Sequence, residues 1–219
     1  MARIVIFGAG DIARLAHHYF THDSGHEVVG FIVDREFRKD DRFLGLPLSD
    51  AEDATRDYPP SDVDLFVALS YARMNALRAE KYGAMKQMGY RLVSYVSSRC
   101  SYLSQTPPGD NCFILEDNTI QPFVTIGNNV TLWSGNHVGH DAVIEDHCFI
   151  TSHVVISGYV RVGTRCFVGV NATLRNSITL APQTLVGAGA IIMKDTQAKG
   201  VYLPERAKLF PKSSDEIEL

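Results

Sequence analysis

The chain has 219 residues, 45% of them hydrophobic and 21% charged, which is ordinary for a globular protein and excludes wholesale disorder. The net charge is −4 and no lysine/arginine run occurs, so the electrostatic footprint of a nucleic-acid binder is missing. No apolar stretch approaches the ~20 residues of a membrane span.

The first half reads as strands alternating with helices. Arg3 to Phe7 is a short apolar run that ends in Gly8-Ala9-Gly10-Asp11-Ile12-Ala13, a G-x-G-x-x-A turn straight after a strand. The run breaks at Gly8 and leads into an acidic residue, so it reads as a buried first strand and not as a signal peptide. A helix is expected over Ile12–Phe20, then a strand over Glu27–Val33 ending at Asp34. A third strand, Val63–Leu69, follows the Pro-Pro loop, then a helix over Ala72–Met88 and a fourth strand over Arg91–Val96. This alternation predicts a small parallel sheet of Rossmann type over residues 1–97. Gly8 permits the tight turn, Gly10 lets a phosphate approach the backbone, and the helix N-terminus offers free N–H groups. Asp34 stands where an acidic residue often takes a ribose hydroxyl. The domain is short for a full dinucleotide fold, and a tight turn with no ligand is the alternative.

The second half carries a repeat. From Ile114 to Ile192 every sixth residue is aliphatic, without a slip. A helix of 3.6 residues per turn cannot hold that period. The residue two places earlier is usually small or β-branched, and glycine often follows the aliphatic one, as at Gly127, Gly139, Gly163, Gly169 and Gly187. This is the hexapeptide repeat of a parallel β-helix over residues 98–200, three hexapeptides to a coil, followed by a tail over 201–219. Cys112, Cys148 and Cys166 fall on the small column and read as core. No CxxC pair occurs, and a reduced, cytoplasmic protein is expected.

The repeat with its preceding GxG domain resembles the sialic-acid O-acetyltransferase-like family of left-handed β-helix acyltransferases. That family includes N-acetyltransferases of nucleotide-linked 4-amino-4,6-dideoxy sugars. The resemblance runs to about Lys208 and is carried by Asn136-His137-Val138-Gly139-His140-Asp141 and Phe167-Val168-Gly169-Val170-Asn171-Ala172. It implies an N-terminal domain that holds the nucleotide, here through Gly8, Gly10, Asp34, Arg35 and, more weakly, Arg78, with His137 lining the same groove. It implies a homotrimer with active sites between adjacent β-helices, acetyl-CoA as co-substrate and no metal. It makes His140 the general base and Asp141 its partner, a pair that works only at a corner or loop, because adjacent strand residues face opposite ways. Acetyl-CoA contacts map onto His153, Gly158, Val170, Asn171 and Ala188, and Lys194, Arg206 and Lys208 are candidates for its phosphates.

Two departures from the family stand out. Phe149 occupies the position of a second histidine, so a backbone N–H or His153 has to meet the thioester carbonyl. The tail Val201–Lys208 replaces the usual G-x-P-A-K ending. His147, beside Glu145 and Asp146, reads as a solvated corner residue. The readings left open are a hydroxyl acceptor, a longer acyl donor and a non-catalytic nucleotide-binding protein. A zinc enzyme using the histidines is disfavoured by spacings that repeat no known ligand pattern.

Overall fold

The computed structural model describes residues 2–217. The N-terminal part is a five-stranded sheet in the order β3-β4-β2-β1-β5, built from β1 (Arg3–Phe7), β2 (Glu27–Val33), β3 (Arg42–Phe43), β4 (Leu46–Asp50) and β5 (Asp64–Val67). All its pairings are parallel except the β3–β4 edge hairpin. Helix α1 (Asp11–His22) packs on the sheet through Ala13, Ala16 and Phe20, which are buried. A short α2 (Ala54–Asp57) precedes β5, and α3 (Ala76–Gln87) follows it.

Two expected elements differ. The helix read from Ala72 begins only at Ala76, because Arg73, Met74 and Asn75 all take left-handed φ values and cannot continue a right-handed helix. The strand read over Arg91–Val96 is split. Leu92 bridges to Leu65 of the sheet, whereas Tyr95–Val96 pairs with Phe113–Ile114 and so starts the β-helix. A continuous apolar run does not say which sheet it joins.

The β-helix has three faces. Face 1 runs from Tyr95–Val96 through Phe113–Ile114, Thr131–Leu132, Phe149–Ile150, Phe167–Val168 and Leu185–Val186 to Val201–Tyr202. Face 2 stacks Ser101–Tyr102, Thr119–Ile120, His137–Val138, Val155–Ile156, Thr173–Leu174 and Ile191–Ile192. Face 3 stacks Thr125–Ile126, Val143–Ile144, Arg161–Val162 and Thr179–Leu180. The parallel partners lie 18 residues apart, as in His137↔Val155 and Phe149↔Phe167. Every residue of the aliphatic column from Ile114 to Ile192 is buried, and so are Cys112, Cys148 and Cys166. Burial pushes the Cys112 thiol up to about 12, which leaves it unreactive near neutrality.

The small column also holds polar members. Asn118 and Asn136 stack inside the coil, where the Asn136 N–H donates to Asn118 Oδ1 at 3.2 Å and the Val154 N–H to Asn136 Oδ1 at 2.8 Å. These side chains satisfy backbone groups that the corner leaves unpaired.

At each corner one residue is left-handed. The positions recur every six residues from Asn111 to Gly189. Most are Asn, Asp, His or Gly, the residues that tolerate this conformation best. This second six-residue column was readable in the sequence and complements the aliphatic one.

The N-terminal domain sits on face 1 and on the corner between faces 3 and 1. Tyr19, Phe20 and Phe66 pack with Tyr95 and Phe113. Tyr71 packs on Phe149 and Phe167. Asp23, just past α1, accepts from Tyr95 Oη at 2.6 Å and from the Ser98 N–H at 2.9 Å. Those bonds, chiefly from Ser98 and then Tyr95, hold its carboxyl down at about 2.

Candidate active site

A cavity of about 540 Å³ opens at the carboxyl end of β1 and β2. Gly8, Ala9 and Gly10 form its floor and Asp34, Lys39, Arg42, Phe37 and Phe43 its rim. Ligands of open parallel sheets bind at this end of the strands. Gly8 has φ +129°, and a Cβ there would lie 2.7 Å from the Ala68 carbonyl oxygen, so the turn requires glycine. At Gly10 a Cβ would meet nothing within 4 Å, so the space above the α1 N-terminus is open. Asp34 lines the cavity, with Oδ1 accepting from Lys81 Nζ of α3 at 2.6 Å. Lys81 and the rim residues Phe37, Lys39, Arg42 and Phe43 escaped the sequence reading, because no local motif marks them.

Arg35 and Arg78 do not join this cavity. Arg35 turns away to Asp50 at 3.2 Å and Glu52 at 2.7 Å. Arg78 is 2% exposed. Its guanidinium donates to the carbonyl oxygens of Asn129, His147 and Cys148 and to Asn129 Oδ1 and Asn75 Oδ1. Asn75 in turn donates to the Cys166 carbonyl at 3.1 Å. Arg78 therefore fastens α3 to the β-helix, and an arginine in a helix gives no sequence sign of which way it points. Burial lowers it to about 10, so it stays charged near neutrality.

His147 is likewise no solvated corner residue. Its Nδ1 lies 2.9 Å from Asn129 Nδ2 and its ring meets Tyr82 edge-on, so burial lowers its pKa. Phe149 is buried in the aromatic block with Tyr71, Phe167 and Trp133, where no ligand carbonyl reaches it.

His140 and Asp141 lie at the corner between faces 2 and 3, opposite the face that carries the N-terminal domain. Asp141 has φ 58°, and this left-handed turn brings its carboxylate back to its neighbour. His140 Nδ1 lies 2.9 Å from Asp141 Oδ2. That contact favours the proton on Nδ1 and leaves the Nε2 lone pair free. The His140 N–H donates to Gln121 Oε1 at 2.8 Å. The ring rests on Gly158, where a Cβ would lie 2.9 Å from His140 Nε2. A Gly158→Ala variant is expected to displace the imidazole and lower kcat by about 10-fold or more with little change in Tm, measured by steady-state kinetics and thermal melting. An unchanged kcat would mean that the ring position is unimportant.

The other candidates fall on a different corner. His153, Val170, Asn171 and Ala188 lie along the corner between faces 1 and 2, where all four are exposed. The His153 ring covers Gly135, 18 residues earlier. Gly158 is separated from these four and shares the His140 corner, one coil on. His137 lies on face 2, half-buried, between Thr119 and Val155. Within one chain His153 is a whole face away from His140 and cannot meet a carbonyl held there. Among the described residues no group of three or more His, Cys, Asp or Glu side chains is placed to hold a metal ion. No described helix is long and apolar enough to cross a membrane.

Residues 123–158 match the bacterial transferase hexapeptide family (six repeats). This segment is a hexapeptide-repeat β-helix. The chain superposes on the acetyltransferase domain of PglB from Neisseria gonorrhoeae with a TM-score of 0.80 and 18% identity, over 96% of this chain and 100% of that one. It also superposes on a histidine-to-asparagine variant of perosamine N-acetyltransferase from Caulobacter crescentus, solved with CoA and GDP-perosamine. There the TM-score is 0.81 and the identity 22%, over 97% of this chain and 98% of that one. The hexapeptide chain thus shares the left-handed β-helix and the preceding small α/β sheet with these structures. Among curated relatives, an acyl-[acyl-carrier-protein]–UDP-N-acetylglucosamine O-acyltransferase from Stutzerimonas stutzeri is 28% identical over 74 residues. That stretch is 34% of this chain and only 29% of the relative, so the chain matches less than a third of that protein's length.

Proposed function

We propose that the protein is an acetyl-CoA-dependent N-acetyltransferase that acts on the 4-amino group of a nucleotide-linked 4-amino-4,6-dideoxy sugar, for surface polysaccharide or glycan biosynthesis. The observation that carries this reading is the His140–Asp141 pair, held at an exposed corner with Nε2 open over Gly158. As the amine nitrogen attacks the thioester carbonyl carbon, its proton passes to His140 Nε2. The C–S bond then breaks, and the CoA thiolate leaves and takes up that proton. Asp141 stabilises the imidazolium between the two transfers.

The cavity over Gly8 and Gly10, with Asp34 at its rim, suits the nucleotide, and Lys39 and Arg42 suit its phosphates. The line of Val170, Asn171, Ala188 and His153 suits acetyl-CoA, with Gly187 and Gly189 beside Ala188 leaving room for its pantetheine arm, and no metal takes part. The geometry of one chain supports assembly of several copies, in this reading a homotrimer. The cavity lies on the face 1 side and His140 at the opposite corner, so the two halves of the site meet only if one copy's cavity faces another copy's β-helix. The cytoplasm is the compartment where the chemistry finds both substrates.

The test is thiol release from acetyl-CoA against UDP-, dTDP- and GDP-linked 4-amino-4,6-dideoxyhexoses, with 4-hydroxy sugars as controls. Turnover with one amino sugar is expected. Release only with a hydroxyl acceptor would move the protein to O-acetylation, and silence with no CoA binding would overturn the transferase reading. Co-expression of His140→Ala with the cavity-blocking Gly10→Glu is expected to restore part of the activity that each lacks alone. No restoration would place both halves of the site in one chain.

A further inference from the structure

The left-handed positions of the His140 corner are Phe123, Asp141, Tyr159 and Ser177. Among the described left-handed corner positions Phe123 and Tyr159 are the only Phe, Tyr or Trp residues, at φ 68° and 58°. A bulky side chain there is a true outlier, since glycine or asparagine would take the same turn at less cost. Neither ring repays that cost by packing in the core, for Phe123 is 74% and Tyr159 60% exposed. The two flank Asp141, one coil before and one coil after, at the ~4.8 Å spacing of neighbouring strands. Tyr159 meets the His140 imidazole edge-on, with ring centroids 5.1 Å apart and planes at 88°. Its N–H donates to the His140 carbonyl at 3.0 Å.

We infer that Phe123 and Tyr159 are specificity-determining residues that hold the apolar edge of the acceptor sugar, its C–H face and its deoxy methyl group, beside His140. The inference rests on the acetyltransferase reading. An amine that reaches His140 Nε2 sits over Gly158, and the sugar carbons that carry it then lie against the next residue, Tyr159. An aromatic face receives C–H groups and a methyl well. A hydroxymethyl group in the same place loses water and gains no partner.

The test compares the full-length wild type with Tyr159→Gly, Tyr159→Phe and Phe123→Gly, using the nucleotide-linked 4-amino-4,6-dideoxyhexose and its 6-hydroxy analogue. Tyr159→Gly is expected to raise the acceptor KM about 5–10-fold with kcat within about twofold, and to narrow the preference for the deoxy sugar. The acetyl-CoA KM should not move. Tm should hold or rise, because glycine relieves the left-handed turn. Phe123→Gly should act in the same direction, and Tyr159→Phe should behave as wild type. An unchanged acceptor KM and preference in Tyr159→Gly would overturn the assignment while leaving the acetyltransferase reading intact. A change of oligomeric state by light scattering would also overturn it, assigning the rings to a contact between copies. A wild type that acetylates neither sugar would remove the acetyltransferase reading and this inference with it.

Discussion

His140→Ala is expected to lower kcat by about 10²-fold or more and to leave Tm unchanged. The stability half of this result follows from exposure. The His140 side chain is 52% exposed and its bond to Asp141 lies at the surface, where such a pair contributes little to folding. The kinetic half follows from the fixed ring. Asp141 and Gly158 hold the imidazole in one place, Gln121 holds the backbone N–H that carries it, and among the described residues no second histidine of the same chain shares its corner. Asp141→Asn should give a smaller loss of kcat, since it keeps the polar neighbour and removes the charge that favours the imidazolium. The measurement is single-turnover acetyl transfer at saturating acceptor. Near-full kcat in His140→Ala would mean that the amine arrives neutral and water takes the proton.

Arg78→Met is expected to destabilise the protein by about 3–5 kcal/mol, the largest effect on stability of any single change considered. Methionine fills much of the volume, so the loss comes from acceptors left without a donor. These are the carbonyls of Asn129 and His147 and the amide oxygen of Asn75, at a dry junction, while the Cys148 carbonyl keeps the Thr131 N–H at 3.0 Å. Asn129 Oδ1 retains only the Asn111 amide at 2.8 Å. The single tryptophan, Trp133, packs at the same junction against Phe149, so its fluorescence in a urea titration reports the event directly. A loss below about 1 kcal/mol would show that water reaches the freed carbonyls and that the staple is weak.

The β-helix was legible in the sequence because its period is strict and unlike that of any helix. The aliphatic column predicted the buried residues one by one, and Cys112, Cys148 and Cys166 fell into place with it. The corner at Asp141 was legible too, once the coil was known. Contacts between the two parts were not. Arg78, His147 and Phe149 look like a surface arginine, a solvated histidine and a missing ligand group when read along the chain. Each is decided by what lies across the junction, more than 50 residues away for Arg78 and Asn129. The split of Arg91–Val96 has the same origin, since a short apolar strand fits either sheet. The cavity floor was readable from Gly8-Ala9-Gly10 and one rim residue from Asp34, whereas Phe37, Lys39 and Arg42 were not, because no local motif marks the stretch between β2 and β4, and Lys81 meets Asp34 from the distant α3.

The 18-residue coil also quantises the length of this protein. Removing six residues between Asn111 and His140 would leave both six-residue columns in phase, so the prism would still close and its interior would still be filled. Every later side chain would nevertheless advance by one face, and His140 would emerge at a corner that faces a different neighbour. Only losses or gains of 18 return it to the same corner, and those change its height along the axis. The geometry of the proposed site is thus written in chain length as firmly as in residue identity, and indels compatible with a sound core are far more numerous than indels that keep His140 at its corner.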